Sequence, residues 1–364
     1  MTRVLIISTP PEIGGGEVYV EMLIRNMSSA YEFRVATQLA SFRRSLSKLD
    51  VKTLKFMLPI KFNSIWEVRL ALLLQPFYWI QYLLIFARWR PDLIHVQSNE
   101  EKLSVALPAL LFKIPVIWTM HGPIDTSGSR LYERYFAWSA VRASTIICIT
   151  RHVLQSTIEA GSPKNNCTLI HNGVDTDEFA PSSYAPMGPI TFVGRLEAVK
   201  NPLLFVATAM QLLENGHDYR FTIIGDGSLR EDLIKFSSAK SEKFLFTGYK
   251  PNPLPYIKQA SVLVISSDAE GMGIAAVEAM ACAIPVIATN VGGLPEVVEN
   301  GITGILVPSG DKAALVDAIE SLLSDSDRGR LMGVAGRERA RRQFSLEQMV
   351  QSTYSIYEEA LHHA

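Results

Sequence analysis

The amino-acid sequence predicts an α/β protein built from two doubly wound parallel-sheet domains. Short apolar runs alternate with longer helical patterns along the whole chain, which is the signature of βαβ units and parallel sheets. The alternation occurs in two series, and each opens with an apolar strand that runs into a glycine-bearing turn and a helix. In the first series Ser8 leads to Gly14-Gly15-Gly16-Glu17; in the second the turn is Val193-Gly194-Arg195. Between them lies Ala180-Pro181-Ser182-Ser183-Tyr184-Ala185-Pro186-Met187-Gly188-Pro189, whose Pro, Gly and Ser mark a linker. The chain has 364 residues, 48% of them hydrophobic and 20% charged, enough for two buried cores. The reading therefore places Rossmann-like domains at 1–180 and 188–348.

The strands of the first series are expected at Val4–Ser8, Phe33–Ala36, Leu93–Val96, Val116–Met120 and Ile146–Ile149. Those of the second are expected at Ile190–Val193, Arg220–Ile224, Phe244–Thr247, Val262–Ser266 and Val286–Ala288. Val68–Ala87 has roughly the length of a membrane-spanning helix. Gln75-Pro76 and Gln81 interrupt it, however, and Arg69, Arg88 and Arg90 flank it. It reads as an amphipathic or core helix with contact to lipid at the interface open.

Net charge is −1, so the whole molecule is no electrostatic match for nucleic acid. The charge is uneven: residues 1–178 carry 19 Lys and Arg against 15 Asp and Glu, and residues 179–364 carry 16 against 21. A basic first half is suited to an anionic surface or ligand. Cys148, Cys167 and Cys282 are widely separated, which argues against a disulfide framework and fits a reducing compartment. The apolar run at the N-terminus is short and reads as a buried strand, so the expected location is the cytoplasm.

Two segments carry the chemistry. In Ser266-Ser267-Asp268-Ala269-Glu270-Gly271-Met272-Gly273-Ile274-Ala275-Ala276-Val277-Glu278, a buried strand gives way to a turn, and a helix begins near Gly273. The unpaired N–H groups of a helix start can seat a pyrophosphate, and glycines let backbone approach a ligand closely. Glu270 in the turn and Glu278 about one helical turn in can both accept hydrogen bonds from vicinal hydroxyls. In the second segment, Phe192-Val193-Gly194-Arg195-Leu196-Glu197-Ala198-Val199-Lys200-Asn201-Pro202, Arg195 leaves the C-terminal end of a strand, where open α/β sheets bind ligands. Arg195 and Lys200 can neutralise charge building on a diphosphate leaving group. Together these residues describe a nucleotide-sugar site.

At this point the chain resembles glycosyltransferase family 4, the retaining enzymes of the GT-B fold. The resemblance rests on the Glu270…Glu278 pair and on Gly194-Arg195…Lys200. It is supported by Gly14-Gly15-Gly16-Glu17, His121-Gly122, Asn172-Gly173-Val174-Asp175, Gly225-Asp226-Gly227 and Val291-Gly292-Gly293-Leu294-Pro295-Glu296, all in family order. It implies two Rossmann-like domains facing a cleft, with a C-terminal helix (about 350–364, carrying Tyr354 and Tyr357) crossing back to the first domain as a hinge strut.

The resemblance also implies roles. Arg195 and Lys200 would hold the donor's phosphates, and Glu270 would bind the transferred sugar near its reacting carbon. The N–H groups of Gly271, Met272, Gly273 and Ile274 would contact sugar and phosphate, and Glu278 the ribose. Gly15 and Gly16 would close on the diphosphate, Gly194 and Gly225 would line the donor pocket, and His121 would lie near the donor sugar. Met272 and Ala283 stand where similar enzymes often have Phe or Leu and Gly; neither change removes a charged group.

The implied reaction is a retaining, metal-independent and cofactor-free transfer from a UDP- or GDP-sugar to a glycan or lipid-linked acceptor. It would serve cell-surface polysaccharide or lipopolysaccharide synthesis. The acceptor is expected against the first domain, where Arg43, Arg44, Lys48, Lys52 and Lys55 precede Phe56-Met57-Leu58 and Val68–Ala87. That combination suits peripheral contact with an anionic membrane. Competing readings fit less well. A dinucleotide fingerprint fails because Arg230 stands where the third glycine belongs, and no P-loop sequence occurs. A catalytically silent sugar-nucleotide-binding partner of another transferase, or a GT-B epimerase or phosphorylase, would keep the same fold.

Overall fold

The computed structural model describes residues 1–9, 14–55, 67, 70–71, 73–124, 130–182 and 185–363. Two compact units result, one formed by Met1–His171 with Met349–Ala364 and the other by Asn172–Gln348. Of the segments singled out in the sequence, Phe56-Met57-Leu58, Val68, Arg69, Ser183, Tyr184 and Ala364 lie outside the described residues.

The first unit holds a seven-stranded parallel sheet in the order β3-β2-β1-β4-β5-β6-β7. Its strands are β1 (Thr2–Ile7), β2 (Tyr31–Ala36), β3 (Lys52–Leu54), β4 (Leu93–Val96), β5 (Val116–Met120), β6 (Thr145–Cys148) and β7 (Cys167–Leu169). Helices α1 (Gly15–Met27), α2 (Ala40–Ser47), α3 (Gln75–Trp89), α4 (Asn99–Phe112), α5 (Arg130–Ala140) and α6 (Arg151–Glu159) connect them. Right-handed crossovers put α1 and α2 on one face, because the chain first steps outward from β1 to β3. From β3 it jumps back to β4 and steps the other way, so α3, α4 and α5 cover the opposite face. The expected link between the Arg43 region and the Val68–Ala87 segment is therefore not one continuous surface, since α2 and α3 belong to different layers.

The second unit holds a six-stranded parallel sheet in the order β10-β9-β8-β11-β12-β13. Its strands are β8 (Ile190–Val193), β9 (Phe221–Ile224), β10 (Phe244–Gly248), β11 (Val262–Ile265), β12 (Val286–Thr289) and β13 (Gly304–Val307). Its helices are α7 (Pro202–Glu214), α8 (Arg230–Phe236), α9 (Leu254–Ile257), α10 (Ile274–Ala281), α11 (Leu294–Val297), α12 (Lys312–Leu323) and α13 (Ser326–Gln343). The β8, β11 and β12 side chains are almost wholly buried, as both faces of a parallel sheet require. In each sheet the order reverses once, between β1 and β4 and between β8 and β11. The crevice above the C-terminal strand ends at such a reversal is where this architecture binds ligands.

All ten expected strands form. The three that sequence reading missed, β3, β7 and β13, are edge strands of three or four residues. β3 (Lys-Thr-Leu) and β7 (Cys-Thr-Leu) are too short and polar to show an apolar run, whereas β13 (Gly-Ile-Leu-Val) is apolar and was overlooked.

The last helix, α14 (Leu346–His362), belongs over most of its length to the first unit. The chain enters it beside Val174, whose N–H donates to the Phe344 carbonyl at 2.9 Å and whose carbonyl accepts from Leu346 N–H at 3.0 Å. Gly173 permits this approach, since a Cβ there would fall 2.5 Å from the Ser345 carbonyl oxygen. Within the first unit, the fully buried Tyr357 shares its hydroxyl with His95 Nδ1 at 2.6 Å, and His95 Nε2 meets Thr119 Oγ1 at 2.7 Å. Removing the Tyr357 hydroxyl leaves a buried ring nitrogen unpaired, a loss of about 1–3 kcal/mol. Tyr357→Phe should accordingly lower unfolding stability by that amount in urea titrations; an unchanged midpoint would show that this bond does not hold the helix.

Candidate functional site

The C-terminal ends of β8, β9, β11 and β12 carry loops that lock together. Leaving β8, Gly194 N–H donates to Ile224 O at 3.0 Å and Leu196 N–H to Asp226 O at 2.8 Å. Gly225 and Gly227 take positive φ values, and a Cβ on either would strike the Gly194 or Leu196 carbonyl. Glu197 completes the clasp by accepting from Ser228 N–H at 2.8 Å and its hydroxyl at 2.6 Å. Loop packing alone thus explains glycine at 225 and 227, whereas a Cβ on Gly194 would meet only the Phe192 ring at 3.4 Å.

Next to this clasp, across the sheet reversal, stands Glu270. Its Oε2 accepts from Lys200 Nζ at 2.6 Å and from Ser267 Oγ at 3.1 Å. Both partners of the ion pair are largely shielded from solvent. The main chain is fixed as well, because Gly293 N–H donates to Glu270 O at 3.1 Å and a Cβ at Gly292 would collide with that oxygen. Lys200 is placed by a short 3-10 turn that ends at Asn201, left-handed at φ 44°, whose side chain caps α7 through Leu204 N–H. Asp268 braces the arrangement by accepting from Asn201 Nδ2 at 3.1 Å and from Ser309 Oγ at 2.8 Å.

Gly271 and Gly273 flank Met272, whose side chain is buried, so only its backbone is available to a ligand. Gly273 adopts φ 86° as the residue before α10, and Ile274 starts that helix. Glu278 lies one turn along α10, half-buried, its carbonyl accepting from Cys282 N–H and its carboxylate making no ion pair among the described residues. Arg195 is exposed and makes no ion pair among the described residues; Glu197 is a neighbouring charge. The structure therefore joins Lys200 to Glu270 but does not bring Arg195 onto either.

In the first unit a second group gathers at the reversal between β1 and β4. Gly14 precedes α1, and Glu17 reaches back to accept from its N–H at 2.9 Å and from Ser8 Oγ at 2.8 Å. Burial holds the Glu17 carboxyl above its usual range, against the opposing pull of these bonds. Gly15 has open space where a Cβ would stand, while Gly16 faces the His121 ring, 3.5 Å from a Cβ built there. His121 Nε2 lies 2.7 Å from Gln97 Oε1. The Gln97 amide thus holds the His121 ring through Nε2 and leaves Nδ1 for another partner. Burial first, then the Lys102 ammonium, pushes His121 down to about 3, so the imidazole is neutral near pH 7. Lys102 is itself fully buried and donates to Gln97 O at 3.0 Å and Asn99 Oδ1 at 2.9 Å. Among the described residues no group of three or more His, Cys, Asp or Glu is arranged to hold a metal ion.

Comparison with known proteins fits this geometry. Residues 13–178 match the model of Glycosyltransferase Family 4, and residues 179–339 that of Glycosyl transferases group 1. The chain belongs to glycosyltransferase family 4. It is 29% identical to an uncharacterised glycosyltransferase of Methanocaldococcus jannaschii over 74% of this chain and 75% of the other. It is also 29% identical to the Escherichia coli UDP-Gal:alpha-D-GlcNAc-diphosphoundecaprenol alpha-1,3-galactosyltransferase, over 64% and 67% of the two chains. Among solved structures, Anabaena HepE in complex with UDP superposes with a TM-score of 0.81 at 18% identity, covering 99% of this chain and all of that one. The fold is GT-B, and the family 4 enzyme transfers a sugar from a nucleotide-sugar donor.

Several residues of the glycosyltransferase went unread in the sequence. Ser267, Asp268 and Asn201 frame the Glu270 turn, and Gln97 fixes the His121 ring, yet each looks like an ordinary polar loop residue. Only their spacing from the strand ends could have suggested them.

Glu278 gives this site a pH signature. Burial, followed by the neighbouring Glu178 carboxylate, pushes its carboxyl up to about 8 from an ordinary 4.5. A folded value above the unfolded one makes the folded state lose stability as pH climbs from 4.5 to about 8. Glu278→Gln should match the parent near pH 4 and melt progressively higher by on the order of a few degrees towards pH 8. Parallel melting curves for the two proteins across that range would remove Glu278 as the responsible group.

Proposed function

We propose that this enzyme is a retaining, metal-independent transferase that takes its sugar from a UDP-sugar and delivers it to a lipid-linked or glycan acceptor. It would act at the cytoplasmic face of a membrane, in the building of a cell-surface polysaccharide. The observation that carries the reading is the Lys200–Glu270 contact beside the start of α10. A cation, an acid and free helix N–H groups meet there at the sheet reversal. The donor's diphosphate would take the place of Glu270 as the partner of Lys200, with Arg195 swinging in from the surface to share the charge. The two cations and the helix start would then stabilise the departing phosphate. Glu270, released from Lys200 and still held by Ser267, would accept from hydroxyls of the transferred sugar, and Glu278 from the ribose. His121, neutral near pH 7 and held through Nε2 by Gln97, suits a sugar hydroxyl better than a phosphate.

Attack would come from the donor's leaving-group face, the departing phosphate oxygen taking the acceptor's proton. Support for UDP comes from HepE, solved with UDP, and support for a lipid-diphosphate acceptor from the name of the Escherichia coli relative.

Thermal-shift titration with UDP, GDP, ADP and TDP tests the donor. UDP at a hundredfold excess over its Kd should add about 2.7 kcal/mol of stability, and the other diphosphates clearly less; an equal response to all four would sink the base assignment. Arg195→Ala and Lys200→Ala should each cut turnover roughly 10²-fold or more if they stabilise leaving-group charge. Near-normal kcat for both in a donor-turnover assay would contradict these roles.

A further inference from the structure

The layer formed by α3, α4 and α5 turns an unusual face to solvent. Helix α3 buries Tyr78, Tyr82, Phe86 and Trp89 toward the unit, as a packed helix should. Its outward stripe is apolar too: Leu73, just before the helix, then Phe77, Ile80 and Leu84 recur at spacings of four, three and four and are 46 to 77% exposed. The layer is continuous, since Phe86 packs edge-on against Phe112 of α4 and the Tyr135 hydroxyl of α5 lies 3.3 Å from both Gln75 Oε1 and Leu103 O. At the end of α4, Leu110, Leu111 and Phe112 are exposed as well. Contiguous apolar patches of this kind mark binding surfaces. No helix among the described residues is long and apolar enough to cross a membrane.

Charge on the layer has one sign. Arg88, Arg90, Lys113, Arg130, Arg134 and Arg142 are exposed on the three helices and the residues that end them. The acids of the same helices are withdrawn: Glu101 is buried, and Glu100 and Glu133 are partly buried. Because successive right-handed crossovers run the helices parallel, Arg88, Arg90, Lys113 and Arg142 collect at one end of the layer. Arg90 and Lys113 both end their helices in the left-handed conformation, where a cation also meets the negative end of the helix dipole. Trp138 lies beneath the Arg142 guanidinium at 3.8 Å and stacks on Tyr135, an aromatic pairing suited to the headgroup level of a bilayer.

We infer that the outward face of α3, α4 and α5 docks on an anionic lipid bilayer, its apolar stripe entering the interface and its six cations meeting the headgroups. A second copy of the chain is the weaker occupant. A two-fold contact through the same face would set cation against cation, with no exposed acid on these helices to relieve it. The surface lies in the first unit and uses no residue assigned to donor binding, so it stands or falls independently of the donor reading.

The test is flotation of the full-length protein with vesicles of phosphatidylcholine alone and of phosphatidylcholine mixed with phosphatidylglycerol. Binding is expected to the mixed vesicles, weakening as salt is raised. The triple variant Phe77→Ser/Ile80→Ser/Leu84→Ser alters only exposed side chains and should lose at least tenfold in bound fraction. Arg88→Gln/Lys113→Gln/Arg142→Gln should lose roughly fivefold per cation removed. Both variants should keep the parent's melting temperature and its response to UDP, which separates loss of docking from loss of fold or donor site. Absence of flotation with the mixed vesicles, or variants that float like the parent, would overturn the proposal. So would a concentration-dependent dimer that the serine variant converts to monomer without any lipid binding.

Discussion

The second unit is organised around one residue that is held at every point where it could move. Glu270 is fixed through its backbone carbonyl by Gly293 N–H and through its carboxylate by Lys200 and Ser267. The segments supplying these contacts follow β8, β11 and β12, so the carboxylate's position depends on three strands being in register. An acid in this setting is pre-placed, and the ordering cost of fixing it is met when the chain folds and not when a ligand arrives. The Lys200 contact adds a second property, because a short ion pair of this kind is exchangeable.

The glycines of the same region illustrate how packing and binding can ask for the same residue. Gly225, Gly227 and Gly292 admit no side chain because neighbouring carbonyls occupy the space. That constraint exists whether or not a ligand is bound. Gly15 and Gly271 differ: Gly15 has open space in the position of a Cβ, and Gly271 stands in the turn that leads to α10. At Gly15, therefore, packing does not ask for glycine.

Much of this could be read from the sequence because it is repetitive or buried. A buried parallel strand is a run of apolar residues, and such runs mark the nine central strands of the two sheets; the tenth expected strand, β10, is a partly exposed edge strand that was legible because Phe244, Leu245 and Phe246 are apolar. The Glu270–Glu278 spacing was legible because it straddles a strand-to-helix turn with glycines on either side. Edge strand β13, apolar at Ile305, Leu306 and Val307, was readable but not read, whereas β3 and β7 were not legible, as Lys52, Thr53 and Thr168 break the apolar pattern. The same limit hid Asp268 and Asn201, which meet only after folding brings together segments 67 residues apart. Sequence proximity also misled: Arg43 and Arg44 precede α3 closely in the chain, yet the crossover from β3 to β4 carries α3 to the other face of the sheet.

The two units divide their electrostatics. In the second, Lys200 and Glu270 meet as a partly shielded ion pair. In the first, burial suppresses charge: His95 and His121 are held down to about 3, Lys102 is lowered to about 7, and Glu101 is raised to about 8. Desolvation is the leading cause for all four. A neutral imidazole held by Gln97 can exchange hydrogen bonds with hydroxyls but offers a phosphate no attraction. The positive charge of Lys102, buried beside Gln97, further disfavours protonation of the His121 ring.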